Sequence, residues 1–163
     1  MQLNHLSKRK RSHGFTLLEV LVAMVVLSIG LLGLSGLQTS SLRNNHSAFL
    51  RSQATLVSND IIDRMRANRD SASGGAYDIA YGATPTSSTC TSGCSAANVA
   101  NADLAEWRSY VERLPGGQGE IDVIQVPVTV GAVSLNVDVA EVKVRWGDAR
   151  DGNLLEIVTR SQL

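Results

Sequence analysis

The sequence predicts an α+β chain. A long N-terminal α-helix, transmembrane in its first part and a domain spine in its second, packs on a small antiparallel β-sheet. Three observations predict it. The 23 residues from Val20 to Leu42, VLVAMVVLSIGLLGLSGLQTSSL, carry no charge. Apolar residues then recur at helical spacing as far as Met65, and from Ile121 onward they recur at every second position. Finally, 163 residues suffice for one domain with a core but not for two large ones.

Charge placement supports the membrane reading. The chain has 15 Lys and Arg against 15 Asp and Glu. Four of the cations, Lys8, Arg9, Lys10 and Arg11, lie before residue 15, and without residues 1–14 the net charge is −4. A nucleic-acid binder carries its positive charge on the folded domain, so no nucleic-acid partner is expected. As a helix, Val20–Leu42 spans about 34 Å, enough for the hydrocarbon of a bilayer. By the positive-inside rule the four cations stay cytoplasmic and the C-terminal domain lies outside. A secretory signal peptide also begins with cations, but its apolar core is shorter and ends in a small-x-small cleavage site. Here Leu42-Arg43-Asn44-Asn45 follows the apolar run, so the segment is expected to be retained.

Glu19, between Leu18 and Val20, is foreign to an inert anchor. A carboxylate at bilayer depth costs about 2–3 kcal/mol unless it finds a partner. Position alone leaves two readings open: Glu19 sits shallow and snorkels to the headgroups, or it is kept for a partner.

Gly14-Phe15-Thr16-Leu17-Leu18-Glu19-Val20, behind a short basic leader, resembles the class III signal of type IV prepilins and pseudopilins. The resemblance implies a prepilin peptidase that cuts between Gly14 and Phe15 and methylates the new N-terminus at Phe15. Glycine suits such a cut because the bare backbone enters a narrow protease site in extended form. It also implies a partner for Glu19. An α-amine is cationic at neutral pH, so the amine of a neighbouring subunit can pair with Glu19 where water is scarce. Removing one member of such a pair costs about 3–5 kcal/mol.

Beyond the membrane, Leu50, Ala54, Val57, Ile61 and Met65 lie on one helical face, and no proline occurs before Pro85. The helix is expected from Phe15 to Arg69, with this stripe against the domain's own sheet. Gly30, Gly33 and Gly36 permit close helix packing but each weakens the helix by up to ~1 kcal/mol. Many major pilins carry a proline in this neighbourhood, and this chain does not.

Between Ser71 and Ala102 the composition turns to Ser, Thr, Gly and Ala, with Asp78 the one charge. Tyr77, Tyr81 and Pro85 punctuate an expected irregular surface connection. Cys90 and Cys94 lie inside it. In an exported domain a disulfide is the leading reading, with free thiols or half a metal site as alternatives. A zinc shell needs more than two thiolates, and no His lies nearby. A short helix over Ala97–Arg113 follows, with Leu104, Trp107, Val111 and Leu114 on one side and Leu114-Pro115-Gly116-Gly117 ending it. Trp107 falls in core register. The Cys-x-x-x-Cys, Asp103-Leu104-Ala105-Glu106-Trp107 and Leu114–Gly117 segments together resemble the PilV-like minor pilins (type IV pilus modification protein).

In the last third, Ile124, Val126, Val128 and Val130 alternate in one strand and Val142, Val144 and Trp146 in another. Val137-Asp138-Val139 is out of phase with Val142, which suggests a bulge or bend. Asp151-Gly152 signals a hairpin before a last strand over Leu154–Arg160. Asp148 and Asp151 read as turn residues, since they lack the alternating acidic ligands of a calcium loop. The expected organisation is a cleaved leader (1–14), a transmembrane helix (15–42), its periplasmic continuation (43–70), a loop with disulfide and short helix (71–118) and an antiparallel sheet (119–163).

An enzyme is not expected. His5 and His13 are lost with the leader, His46 is the remaining histidine, and no nucleophile motif, phosphate loop or metal cluster is present, so no cofactor or metal is anticipated. Asp60 and Asp63 beside Arg64 read as a solvated charged face. The resemblance implies a minor pilin that, with other minor pilins and the major pilin, primes pilus assembly. It resides in inner-membrane lipid first and in the pilus afterwards. Two alternatives stand beside it: a type II secretion pseudopilin, and an adhesive subunit displaying the Ser71–Cys94 loop.

Overall fold

The computed structural model describes residues 14–86, 90, 92–148 and 152–163. The leader cations, His5, His13 and Asp151 lie outside the described residues. The elements run α1 (Leu17–Ala67), α2 (Arg69–Ser73), α3 (Ala96–Val111), β1 (Gln118–Val130), β2 (Val133–Gly147) and β3 (Leu154–Gln162). Two compact units divide the chain, one ending at Leu42 and one covering Arg43–Leu163.

In the first unit α1 begins where Thr16 caps it: the Thr16 hydroxyl accepts the Glu19 backbone N–H at 3.2 Å. Thr-x-x-Glu is a helix-start pattern, and Glu19 in the first turn also faces the positive end of the helix dipole. The polar side chains of the apolar run bond to the carbonyls four residues back, Ser28 to Met24 at 2.7 Å, Ser35 to Leu31 at 2.9 Å and Thr39 to Ser35 at 3.0 Å. Their hydroxyls therefore need no water. Every residue of this stretch is exposed, and α1 is the one described helix long and apolar enough to cross a membrane.

In the second unit α1 contributes Leu50, Ala54, Ile61, Ile62 and Met65 to one core, with Val57 packed at its margin. α3 adds Ala100, Leu104, Trp107 and Val111, and the sheet adds Ile121, Ala140, Val142, Val144 and Trp146. The expected stripe thus joins the same core as the sheet. α1 stops two residues earlier than expected, at Ala67, because Asn68 leaves helical geometry at φ −121°. The short α2 then turns the chain.

Tyr77 corrects the reading of this stretch as surface. It is fully buried, and two residues later Ile79 bridges antiparallel to Ile121. Polar composition concealed that Ala72 and Tyr77 belong to the core and that Ile79 packs against it. Ser95 caps α3 by accepting the Asn98 N–H at 3.3 Å. After α3, Gly116 turns at φ +63°, and a β-carbon at Gly117 would stand 1.9 Å from the Val111 carbonyl oxygen. Both glycines of the Leu-Pro-Gly-Gly stop are thus required by backbone geometry.

The sheet is antiparallel with order β1-β2-β3. Pairing is one-for-one from Gln118↔Arg145 to Val130↔Val133, and from Val139↔Gln162 to Gly147↔Leu154. The expected bulge before Val142 is absent from this register. The change of phase has another cause. Val142, Val144 and Trp146 face the core, while Val137 and Val139 face the opposite side, where they pair with Val126 and Ile124. The alternation seen in β1 likewise marks its outer face, and Ile121 is the strand's buried residue. Pro127 is tolerated because β1 is an edge strand. β3 extends two residues beyond its expected end, to Gln162.

Candidate assembly site

Gly14 precedes α1 without secondary structure, which suits backbone presented to a protease. Phe15, Glu19, Val20, Ala23, Met24 and Leu27 share one side of α1, and Glu19 is the one charge among them. Their spacing of three and four residues creates this side. It is an apolar ridge with a carboxylate in the first turn of the helix. Such a surface offers apolar contact along its length and one hydrogen-bond-accepting carboxylate at its head. Reading the sequence missed the Thr16 cap, although Thr16-x-x-Glu19 signalled it.

A second cluster lies within the Arg43–Leu163 unit and ties α1 to α3. Arg64 donates to Asp60 at 2.9 Å, to Asp103 at 3.2 Å and to Glu106 at 2.7 Å. The Tyr77 hydroxyl donates to Asp103 at 2.6 Å, and Asn68 donates to Tyr77 at 3.3 Å and to the Ala96 carbonyl at 2.8 Å. Glu106, bonded by Arg64 and Tyr110, is held below the usual carboxylate range. Burial, then the bond to Asp103, pushes the Tyr77 phenol up. The Asp60–Arg64 pair was expected as a solvated face. Asp60 and Asp63 are indeed exposed, but Arg64 also reaches α3, and its link to Asp103 and Glu106 was not foreseen. Asp103-x-x-Glu106, spaced to share a helix face, was the available signal.

On the sheet's outer face, Lys143 bridges Glu120 at 2.7 Å and Glu141 at 3.1 Å, and Glu141 also pairs with Arg160. Arg160, then Lys143, holds the Glu141 carboxyl below the usual range. Tyr81 donates to Glu156 at 2.7 Å beneath the Arg145 guanidinium, 3.9 Å from its ring. These are ordered, mutually neutralised charges with no open coordination. Among the described residues no group of His, Cys, Asp and Glu is placed to hold a metal. Cys90 and Cys94 are joined in a disulfide with Cα atoms 5.9 Å apart, so neither is a free thiol or a ligand.

Comparison with known families covers the chain from residue 9 to residue 107. Residues 9–35 match the prokaryotic N-terminal methylation motif, and residues 36–107 match the family of type IV pilin Tt1218. No curated protein and no solved structure matches the chain. The methylation motif implies processing by prepilin peptidase and pilin partners. With the exposed apolar helix it fits a membrane-anchored subunit, and the pilin family is one of structural subunits. An apolar N-terminal helix under a methylation motif, followed by an α+β unit whose helical half matches a pilin, makes this chain a type IV pilin-like protein.

Proposed function

We propose that the chain is a minor pilin of the PilV-like branch, a non-enzymatic subunit that joins other minor pilins and the major pilin to prime assembly of a type IV pilus. The observation that carries this reading is Glu19, the one charge on the exposed ridge from Phe15 to Leu27. Prepilin peptidase cuts after Gly14 and methylates Phe15. Its product then sits in the inner membrane with the Arg43–Leu163 unit in the periplasm. The ridge supplies apolar contact, and Glu19 accepts the cationic N-terminus of the next subunit. A buried carboxylate without that partner is destabilising, so the pair selects correctly trimmed neighbours. The disulfide and the interhelical clasp suit a domain that works outside the cytoplasm as a rigid block.

Complementation of a deletion strain tests this. Glu19→Ala and Gly14→Val are expected to accumulate in the membrane yet leave the cells with at least tenfold fewer surface pili. Normal piliation with Glu19→Ala contradicts the assembly role. Normal piliation in the deletion strain itself, with attachment lost, points instead to a displayed adhesive subunit.

A further inference from the structure

The β1–β2 hairpin extends beyond the third strand. β3 pairs with β2 only from Val139 to Gly147, so the rungs from Val126↔Val137 to Val130↔Val133 form a two-stranded arm. The arm's two faces differ in chemistry. On the core-facing side, Gln125 donates to Asp138 at 3.3 Å and Thr129 bonds Ser134 at 2.9 Å, with Pro127 opposite Asn136 between them. On the outer side four successive side-chain pairs are aliphatic: Ile124↔Val139 at the base, where β3 still pairs, and Val126↔Val137, Val128↔Leu135 and Val130↔Val133 in the arm. The tip is open to solvent, with Val130 72 %, Leu135 61 % and Val133 57 % exposed. A two-stranded ribbon is at best marginally stable alone in water, and this one has its apolar face uncovered.

We propose that the cover is a second copy of this chain, its arm stacked face to face on the first about a two-fold axis. Three observations select that occupant. The four rungs contain no charge, so the covering surface is itself apolar. The neighbouring rung is charged, with Asp122 opposite Glu141 and Glu141 paired with Arg160. A two-fold axis across the strands lays tip on base, four aliphatic rungs on four, and leaves both charged rungs outside the contact. The axis along the strands lays those charged rungs on each other and is rejected. Eight side chains present on the order of 500 Å², within the range of the largest patches on monomeric proteins. Two copies together bury roughly 1,000 Å², the lower bound for a specific interface. The contact is therefore weak and reversible, and it is favoured where the chain is concentrated in a membrane. This assignment does not depend on the pilus role proposed above.

Stacked sheets lie about 10 Å apart, so Val128, next to the axis, comes within reach of a short bis-maleimide on its copy. The experiment uses the full-length chain in native membranes, with Cys90 and Cys94 paired and unreactive. Val128→Cys is expected to give at least tenfold more cross-linked homodimer than Val158→Cys, a comparably exposed site on the outer face of β3. Adding Leu135→Glu to Val128→Cys should abolish the product, and Leu135→Thr, which keeps β-propensity, should reduce it several-fold. Equal cross-linking of Val128→Cys and Val158→Cys overturns the proposal. So does an adduct whose mass is that of a different polypeptide, which makes the arm a docking face for another protein. Protection of the Val128→Cys thiol from maleimide by lipid alone, with no homodimer, overturns it in favour of the bilayer.

Discussion

Gly119 lies against the Trp107 indole so closely that a β-carbon there would stand 2.3 Å from the ring edge. The first turn of β1 thus closes on the central aromatic of α3, and the missing side chain is what lets sheet and helix meet. Gly119→Ala must displace a fully buried tryptophan. Overpacking of this kind costs about 1–3 kcal/mol. Chemical denaturation of the detergent-solubilised chain should show that loss. Gly147→Ala, whose β-carbon would sit at an ordinary 3.5 Å from the Pro115 carbonyl, should change stability by no more than ~0.5 kcal/mol.

Arg64 is the hub of the clasp between α1 and α3. Arg64→Ala leaves the Asp103 carboxylate, 16 % exposed, without its cation. A loss of about 2 kcal/mol is expected, as for hydrogen bonds to charged groups. Tyr77→Phe removes one bond to Asp103 while Arg64 remains, and should cost about 1 kcal/mol. Glu106 is half exposed, so Glu106→Ala should cost no more than ~1 kcal/mol. Melts of the three variants check this order. A loss for Glu106→Ala as large as that for Arg64→Ala contradicts it.

The outer-face pairs predict a sign for pH dependence. Arg160 and Lys143 hold the folded-state pKa of Glu141 below its ordinary 4.5. As the pH falls, the unfolded chain therefore binds protons first. The stabilisation is complete above about 4.5 and is lost as the pH drops through the folded value. Asp78 runs the other way: burial raises its pKa above the ordinary 3.8, so acidification relieves it. Stability measured from pH 6 to 3 should fall less steeply in Glu141→Gln than in the native chain. Parallel slopes contradict the pairing.

The disulfide closes a short loop, and its removal is expected to be mild. In the chain-entropy model so small a ring contributes about 2 kcal/mol. Cys90→Ser with Cys94→Ser should lower the melting temperature of the Arg43–Leu163 unit without changing the far-ultraviolet circular dichroism of the chain. Loss of helical signal on reduction contradicts this.

The helices were the most legible part of the fold, because local spacing sets both element and face. Leu50 to Met65 and Leu104 to Val111 face the core as their periodicity requires. The strands were legible as elements but not in orientation. Val126, Val128 and Val130 alternate as well as any core strand, yet they lie on the outer face. Alternation fixes which residues share a face, not which face meets the helix. The apparent bulge arose from the same ambiguity. Tyr77 was read as a surface residue because an isolated anchor has no period, and its partner Asp103 is 26 positions away. The N-terminal methylation motif was legible because it lies in contiguous residues, and residues 9–35 match it. The Arg64 clasp joins α1 to residues 39 and 42 positions on, and no local pattern announces such a contact.

Assembly as proposed requires a trimmed, cationic N-terminus at the head of the apolar helix. Mass spectrometry of the native protein, recovered from membranes and from sheared pili, tests it most directly. An N-terminal peptide beginning with N-methylated Phe15 is expected, and no product retaining residues 1–14. An intact Met1 terminus, or a cut beyond Leu42 that separates the apolar helix from the Arg43–Leu163 unit, contradicts it.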